Sequence, residues 1–265
     1  MLNKIIKPIA HKLPENNRFE RIWKLAQNDF KKRYRGSVLG LFWALLNPLF
    51  MMTLFYFVFT YFLQRSTPNF HIHLFSGIIL WLFFVQSTMQ SINVFLSKRY
   101  LIENIQFNKL DLFISKTISS FIGFAFNIGA LVIMTILAGY KFSYHLLLVP
   151  ILFFILYLIT LSISIILAVL KIFVKDIHHL WDVITLTGYW TCPIFYDESI
   201  LLEKFRVILY LNPIAYLLIA FRDVFLRNQW PEVELIIYAT IFSVILLFVS
   251  VYSLKKYEHL IIEKL

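Results

Sequence analysis

Asp176, His178, His179 and Asp182 form the one cluster in this sequence whose residue types and spacing suggest metal or acid–base chemistry. Asp176, His179 and Asp182 stand at i, i+3 and i+6, and His178 lies four residues before Asp182, so on a helix two carboxylates and an imidazole could converge on a metal ion or share a proton. The cluster falls where the chain passes into an apolar run, a boundary at which polar residues gather for solvation alone. No metal ligand and no catalytic residue is therefore assigned. Asp197 and Glu198 are read the same way, as a solvated turn and helix start.

Energy-transducing chemistry is missing. No Gly-x-x-x-x-Gly-Lys-Ser/Thr loop is present, so the chain is not expected to bind or hydrolyse ATP. Ion-coupled carriers need ionisable groups within the bilayer, yet the five longest apolar runs hold no Asp, Glu, Lys or Arg. Their histidines, His71, His73 and His145, fall near the proposed outer ends. What remains is a conduit driven by another subunit, or a protein that transports nothing.

The elements that would position these residues follow from composition. Of 265 residues, 60% are apolar and 15% charged, and mean hydropathy is +0.74. Soluble domains run near ~45–50% and ~25%; a chain this apolar belongs in a membrane. A single cysteine, Cys192, excludes a disulfide framework and a cysteine zinc site. Uncharged runs cover Gly36 to Gln64, Ser66 to Ser97, Thr117 to Tyr140, Phe142 to Leu170 and Leu235 to Leu254. Each is long enough to cross ~30 Å of hydrocarbon, which takes about 20 helical residues. His178 to Tyr196 is expected as a further span, the fifth in chain order, with Asp182 near one end, and Val207 to Phe221 as a segment that dips partway into the membrane.

Six spans place nineteen of the 25 Lys and Arg on one side: ten up to Arg35, then Lys98, Arg99, Lys109, Lys116, Lys171, Lys175, Lys255, Lys256 and Lys264. The positive-inside rule puts both termini in the cytoplasm. The net charge of +10 is thereby read as orientation, with no nucleic acid implied. Before the first span, Phe19, Ile22, Trp23, Ala26 and Phe30 recur at helical spacing, with Arg21, Lys24, Asp29, Lys31 and Lys32 on the other surface. Asn17 and Glu20 resemble a capping box, which starts this amphipathic helix near residue 17. Lys98 to Lys116 is longer than a reversal needs and suggests a short helix across the end of the bundle, presenting side chains to the cytoplasm. Aromatic residues make up 18% of the chain. Trp43, Phe50, Tyr56 and Phe57 in the first span, with Tyr189, Trp190, Phe195 and Tyr196 in the fifth, offer flat faces on which sugar rings could stack and slide.

The segments YRGSVLGLFWALLNPL (Tyr34 to Leu49), SGIILWLFF (Ser76 to Phe84), LIENIQF (Leu101 to Phe107), FVKDIHHL (Phe173 to Leu180), CPIFY (Cys192 to Tyr196) and LNPIAYLLIAFRDVFL (Leu211 to Leu226) occur in order. Together they resemble the permease subunits of bacterial ABC exporters for O-antigen, capsule and teichoic-acid polymers. The resemblance implies an all-α integral membrane protein with six transmembrane helices, an N-terminal cytoplasmic amphipathic helix and short re-entrant helices between spans five and six. It implies a homodimer that moves a lipid-linked polysaccharide across the inner membrane, with two cytoplasmic ATPase subunits holding ATP and Mg.

Carried onto this chain, residues 1–35 hold a gate helix at the cytoplasmic entrance, with Trp23, Phe30, Lys31, Arg33, Tyr34 and Arg35 as its candidates. Residues 36–254 form the transmembrane domain, 98–116 the coupling segment, 197–230 the outer re-entrant segment and 255–265 a cytoplasmic tail. The family's coupling helix falls on Leu101, Ile102, Glu103, Asn104, Ile105 and Phe107, with Glu103 and Asn104 facing the ATPase. Two positions depart from the family pattern: Asn108 replaces a proline, and Lys175-Asp176 replaces Arg-Asp. The alternatives are a membrane transferase or hydrolase acting on a lipid-linked sugar through the Asp176 to Asp182 cluster, and an exporter of a drug or small lipid.

Overall fold

A computed structural model describes residues 17–64, 68–104, 108–199, 201 and 205–263, and no strand occurs among them. Helix α1 (Arg18–Arg33) precedes α2 (Trp43–Phe57), which continues as a π-helical turn, Val58–Phe62. Next come α3 (Phe70–Ile92), the short α4 (Val94–Ser97) and α5 (Arg99–Asn104), then α6 (Leu110–Leu137) and α7 (Val149–Phe173). Helices α8 (Ile177–Thr191), α9 (Arg206–Leu211), α10 (Pro213–Arg222), α11 (Val233–Lys256) and α12 (Glu258–Glu263) complete the chain.

Among the described residues five helices are long and apolar enough to cross a membrane: Gly40–Phe62, Phe70–Ile92, Leu110–Leu137, Tyr144–Phe173 and Val233–Lys256. Each overlaps one of the five uncharged runs. Helix α3 is the axis of the bundle, packing against α2, α6, α7, α8 and α10. Of its most apolar stretch 72% is buried, against 6% for the first candidate span, so the first span lies on an open face of this single chain.

Three expectations are corrected. The expected fifth span stops at Thr191, because Pro193 has no amide to donate and holds Cys192 in an extended conformation (φ −81°, ψ 137°). At 15 residues, α8 is about 22 Å long, short of a full crossing. Helix α6 begins at Leu110, inside the expected coupling segment and well before Thr117, since its first acid is satisfied: Asp111 is fully buried between Arg18 and Arg21. In α1 the buried stripe is Ile22, Leu25, Ala26, Asp29 and Phe30, while Phe19 and Trp23 are exposed. Asp29 was expected on the surface; it is buried because Lys98 meets its carboxylate at 2.6 Å.

The start of α1 follows the sequence reading. Asn17 accepts from the Glu20 amide at 3.2 Å, and Glu20 then pairs with Lys24 rather than closing a reciprocal box. All ten residues of α10 are buried, reached through a break at Asn212 where Pro213 occupies the first helical position.

Candidate functional site

Where α1 ends, Gly36 turns the chain toward the first candidate span at φ +86°, a conformation that favours glycine. The turn sets Arg33 and Tyr34 opposite the polar side chains of α3. The Arg33 guanidinium donates to Gln90 Oε1 at 2.7 Å, to Ser120 Oγ at 3.2 Å and to Gln86 Oε1 at 3.4 Å, and lies 5.9 Å from the Tyr34 ring centroid. Arg33, Tyr34, Trp43, Asn47, Gln86 and Gln90 line a crevice of about 320 Å³. It combines a fixed cation, carboxamides and two aromatic rings, a donor set suited to phosphate oxygens and sugar hydroxyls.

The crevice divides the expected gate residues. Arg33 and Tyr34 line it. Phe30 anchors α1 from inside, edge-on to Tyr34 at 5.5 Å and stacked on Phe126 at 6.2 Å. Trp23, Lys31 and Arg35 are exposed elsewhere on the helix and its end. Gln86, Gln90 and Asn47 were missed, although two glutamines four apart in an uncharged run are the kind of intramembrane polar pair that marks a pathway.

Helix α1 is tied to the coupling segment at two points. Asp29 receives Lys98 at 2.6 Å, with Lys116 at 4.0 Å. Asp111 receives Arg18 at 2.7 and 3.0 Å and Arg21 at 3.2 Å. Burial, then the charge of Lys98, holds the Lys32 ammonium below the usual lysine range, so Asp29 offsets a crowd of cations.

Of the expected coupling residues, Leu101 is buried and Ile102 packs on the α4–α7 cluster, so both face the bundle. Glu103 is exposed and paired with Arg99 at 2.6 Å. Asn104 ends α5, its side chain outside the described residues, as are Ile105 and Phe107. Asn108 accepts from the Leu110 amide at 2.9 Å and so turns the chain into α6.

The expected aromatic set separates into a packed and an open group. Phe195 is buried at the hub, 5.0 Å from Tyr189, 5.2 Å from Trp190, 4.5 Å from Phe55 and 5.5 Å from Phe59, which joins α2 to α8. Gly188 admits the Trp81 ring; a Cβ there would lie 2.6 Å from it. Tyr196 donates to the Thr191 carbonyl at 2.8 Å, and Tyr56 stands edge-on to His71. Trp43, Phe50, Phe57 and Trp190 are exposed, as are Leu180, Val183, Ile184 and Leu186 of α8.

Glu198 corrects the reading of a solvated helix start. It is buried with Arg222, which is inaccessible to solvent, and both it and Arg227 are bridged to it. Arg222 also donates to the carbonyls of Pro193 at 2.6 Å and His73 at 2.8 Å, which locks α10 to α3 and to the turn after α8. Asp197 is exposed as expected, and the Ser199 amide holds its carboxyl below the usual range.

At the start of α8, His178, His179 and Asp182 each offer a ligand atom within 4.8 Å of the others, and His178 Nδ1 lies 3.2 Å from Asp182 Oδ2. Asp176 is not in this trio, so the grouping is two imidazoles and one carboxylate, at the surface.

The sequence profile described as ABC-2 type transporter matches residues 20–226, from α1 through the π-helical turn after α10. The chain belongs to the ABC-2 type transporter family. An O-antigen export system permease protein RfbA from Myxococcus xanthus is 25% identical over 228 residues, 85% of this chain and 88% of that relative. An O-antigen export system permease protein RfbA from Klebsiella pneumoniae is 25% identical over 242 residues, 91% of this chain and 93% of its own length. The ABC-2 match takes in the Arg33 crevice, the Asp29–Lys98 and Arg21–Asp111 pairs, α5 and the Arg222–Glu198 pair.

Proposed function

We propose that this chain is the permease subunit of an ATP-driven exporter that moves a lipid-linked polysaccharide, of the O-antigen, capsule or teichoic-acid type, outward across the inner membrane. The observation that carries this reading is the likeness to O-antigen export permeases along 91% of the chain. The working unit is a homodimer with two cytoplasmic ATPase subunits, which bind the ATP and Mg that this chain does not.

In that unit α8 and the turn after it serve as the fifth of six spans, α9 and α10 re-enter from outside, and both termini are cytoplasmic. The exposed faces of α2 and α8, joined through Phe55, Tyr189 and Phe195, support a seam at which a second copy encloses a path lined by Phe50, Phe57 and Trp190. The Arg33 crevice receives the phosphate and first sugars of the cargo. ATP-driven movement of the partner displaces α5, and Lys98 passes that displacement to α1 through Asp29.

Proteoliposomes carrying this chain and its ATPase should move lipid-linked polymer to the far leaflet only with ATP and Mg. Liposomes with the chain alone should not. Vectorial movement without the ATPase refutes the assignment.

A further inference from the structure

A groove of about 490 Å³ borders the α4–α7 cluster and shares no lining residue with the Arg33 crevice. Phe95, Leu96, Ile172 and Ile261 supply apolar wall, and Lys171 and Lys175 supply two cations. Lys171 lies in the last turn of the fourth candidate span and Lys175 just beyond it, which puts both at the boundary between hydrocarbon and water. Leu96 on its wall is exposed, as are Leu170, Phe173 and Val174, the sequence neighbours of the two lysines, which leaves an apolar surface beside the charges.

The two lysines differ from their neighbours in charge pairing. Lys98 and Lys109 each hold a carboxylate, Asp29 and Glu258. Among the described residues no carboxylate pairs with Lys171 or Lys175; the Lys171 ammonium donates to the Lys175 carbonyl. An apolar channel with unpaired ammonium groups at the membrane boundary matches a molecule with a hydrocarbon tail and a phosphate head.

We propose that this groove binds an anionic phospholipid, its phosphate between Lys171 and Lys175 and an acyl chain along Phe95, Leu96 and Ile172. Ile261 belongs to α12, so the bound lipid holds the C-terminal helix against the fourth span. The site is independent of what the exporter carries.

The test uses the full chain, purified in detergent, stripped of lipid and titrated separately with phosphatidylglycerol and phosphatidylcholine, with bound lipid counted by native mass spectrometry. Phosphatidylglycerol is retained at lower concentration. The Lys171→Ala, Lys175→Ala double variant weakens it roughly thirtyfold, at the usual contribution of a lysine near an anionic lipid surface, and leaves phosphatidylcholine unchanged. Lys171→Arg with Lys175→Arg restores the preference, and Lys141→Ala, which removes an exposed cation outside the groove, does not disturb it. Equal retention of the two lipids, or an alanine pair that keeps the preference, overturns the proposal. So does an alanine pair that keeps the preference but no longer retains the ATPase subunit, which would make the groove a protein-docking surface.

Discussion

Nδ2 of Asn127 donates to the Ala44 carbonyl at 3.1 Å, the acceptor that Pro48 leaves without its helical partner four residues on. The same amide reaches the Gly123 carbonyl at 3.0 Å, so α6 supplies the hydrogen bond that α2 lacks and fixes the first span behind the crevice. Asn127→Leu strands that carbonyl in a buried site, at a cost of about 1–3 kcal/mol. Thermal unfolding in detergent should show a lower midpoint for Asn127→Leu and for Asn127→Asp, which also lacks the donor. An unchanged midpoint for both would mean that the bond does not stabilise the span.

The Asp29–Lys98 pair makes a prediction about communication. Both side chains are largely withdrawn from solvent, so the pair is screened less than a surface bridge. Asp29→Ala leaves Lys98, Lys116 and Lys32 facing one another without their acid. Amide exchange across residues 18–33 should accelerate, and a double-mutant cycle with Lys98→Ala should return a coupling of about 1–3 kcal/mol. Additive losses would show that the contact carries no energy between α1 and the coupling segment.

The long helices are legible in the sequence because hydrocarbon requires uninterrupted apolar runs, and α1 is legible because Asn17 caps it. Tertiary charge pairing is not legible. Asp29 finds Lys98 69 positions away, Asp111 finds Arg18 93 away and Glu198 finds Arg222 24 away, and nothing local distinguishes these acids from solvated ones. That is why the sequence alone puts Asp29 and Glu198 at the surface and Asp111 in the coupling segment. The early end of α8 is a different case. The Cys192-Pro193 step carries its own stop signal, and the apolar count across it outweighed a local steric rule. The crevice is half legible: Tyr34 and Trp43 lie in the first family-like segment and Arg33 directly before it, but Gln86 and Gln90 reach them only through packing of α3 on α6.

Glu103 is held by an exposed ion pair with Arg99, worth only ~0.3–0.5 kcal/mol on a helix surface. A partner subunit can displace that pair at little cost, whereas Leu101 and Ile102 are committed to the bundle. Glu103→Arg should release the ATPase in pull-down assays and stop export, with the chain still folded by size-exclusion chromatography. If Glu103→Arg and Asn104→Arg variants retain the ATPase and export normally, coupling runs through another surface.

Alanine at Asp176, His179 and Asp182 separates a permease from a membrane enzyme. The grouping at the start of α8 places His178 and His179 with Asp182 and leaves out Asp176. Export by each variant, normalised to folded protein, should stay within about threefold of wild type, the size of a surface change below ~0.7 kcal/mol. Turnover of a lipid-linked sugar by the purified wild-type chain, abolished by any of the three with assembly intact, would assign the chain to catalysis.

Arg33 is the residue whose loss should be felt by the cargo. Its guanidinium is oriented by Gln90, Gln86 and Ser120 rather than neutralised by a carboxylate, so the charge remains available to a phosphate entering the crevice. Arg33→Ala should raise the concentration of lipid-linked substrate needed for half-maximal transport by about tenfold or more, the usual worth of a charged hydrogen bond. Arg33→Lys should recover part of that loss, since an ammonium supplies the charge without the planar fork. Gln90→Leu should move in the same direction by a smaller factor, because it frees the guanidinium to turn away. A lowered maximal rate with an unchanged half-maximal concentration would place Arg33 in the movement of α1 rather than in recognition, and the crevice would then be a hinge.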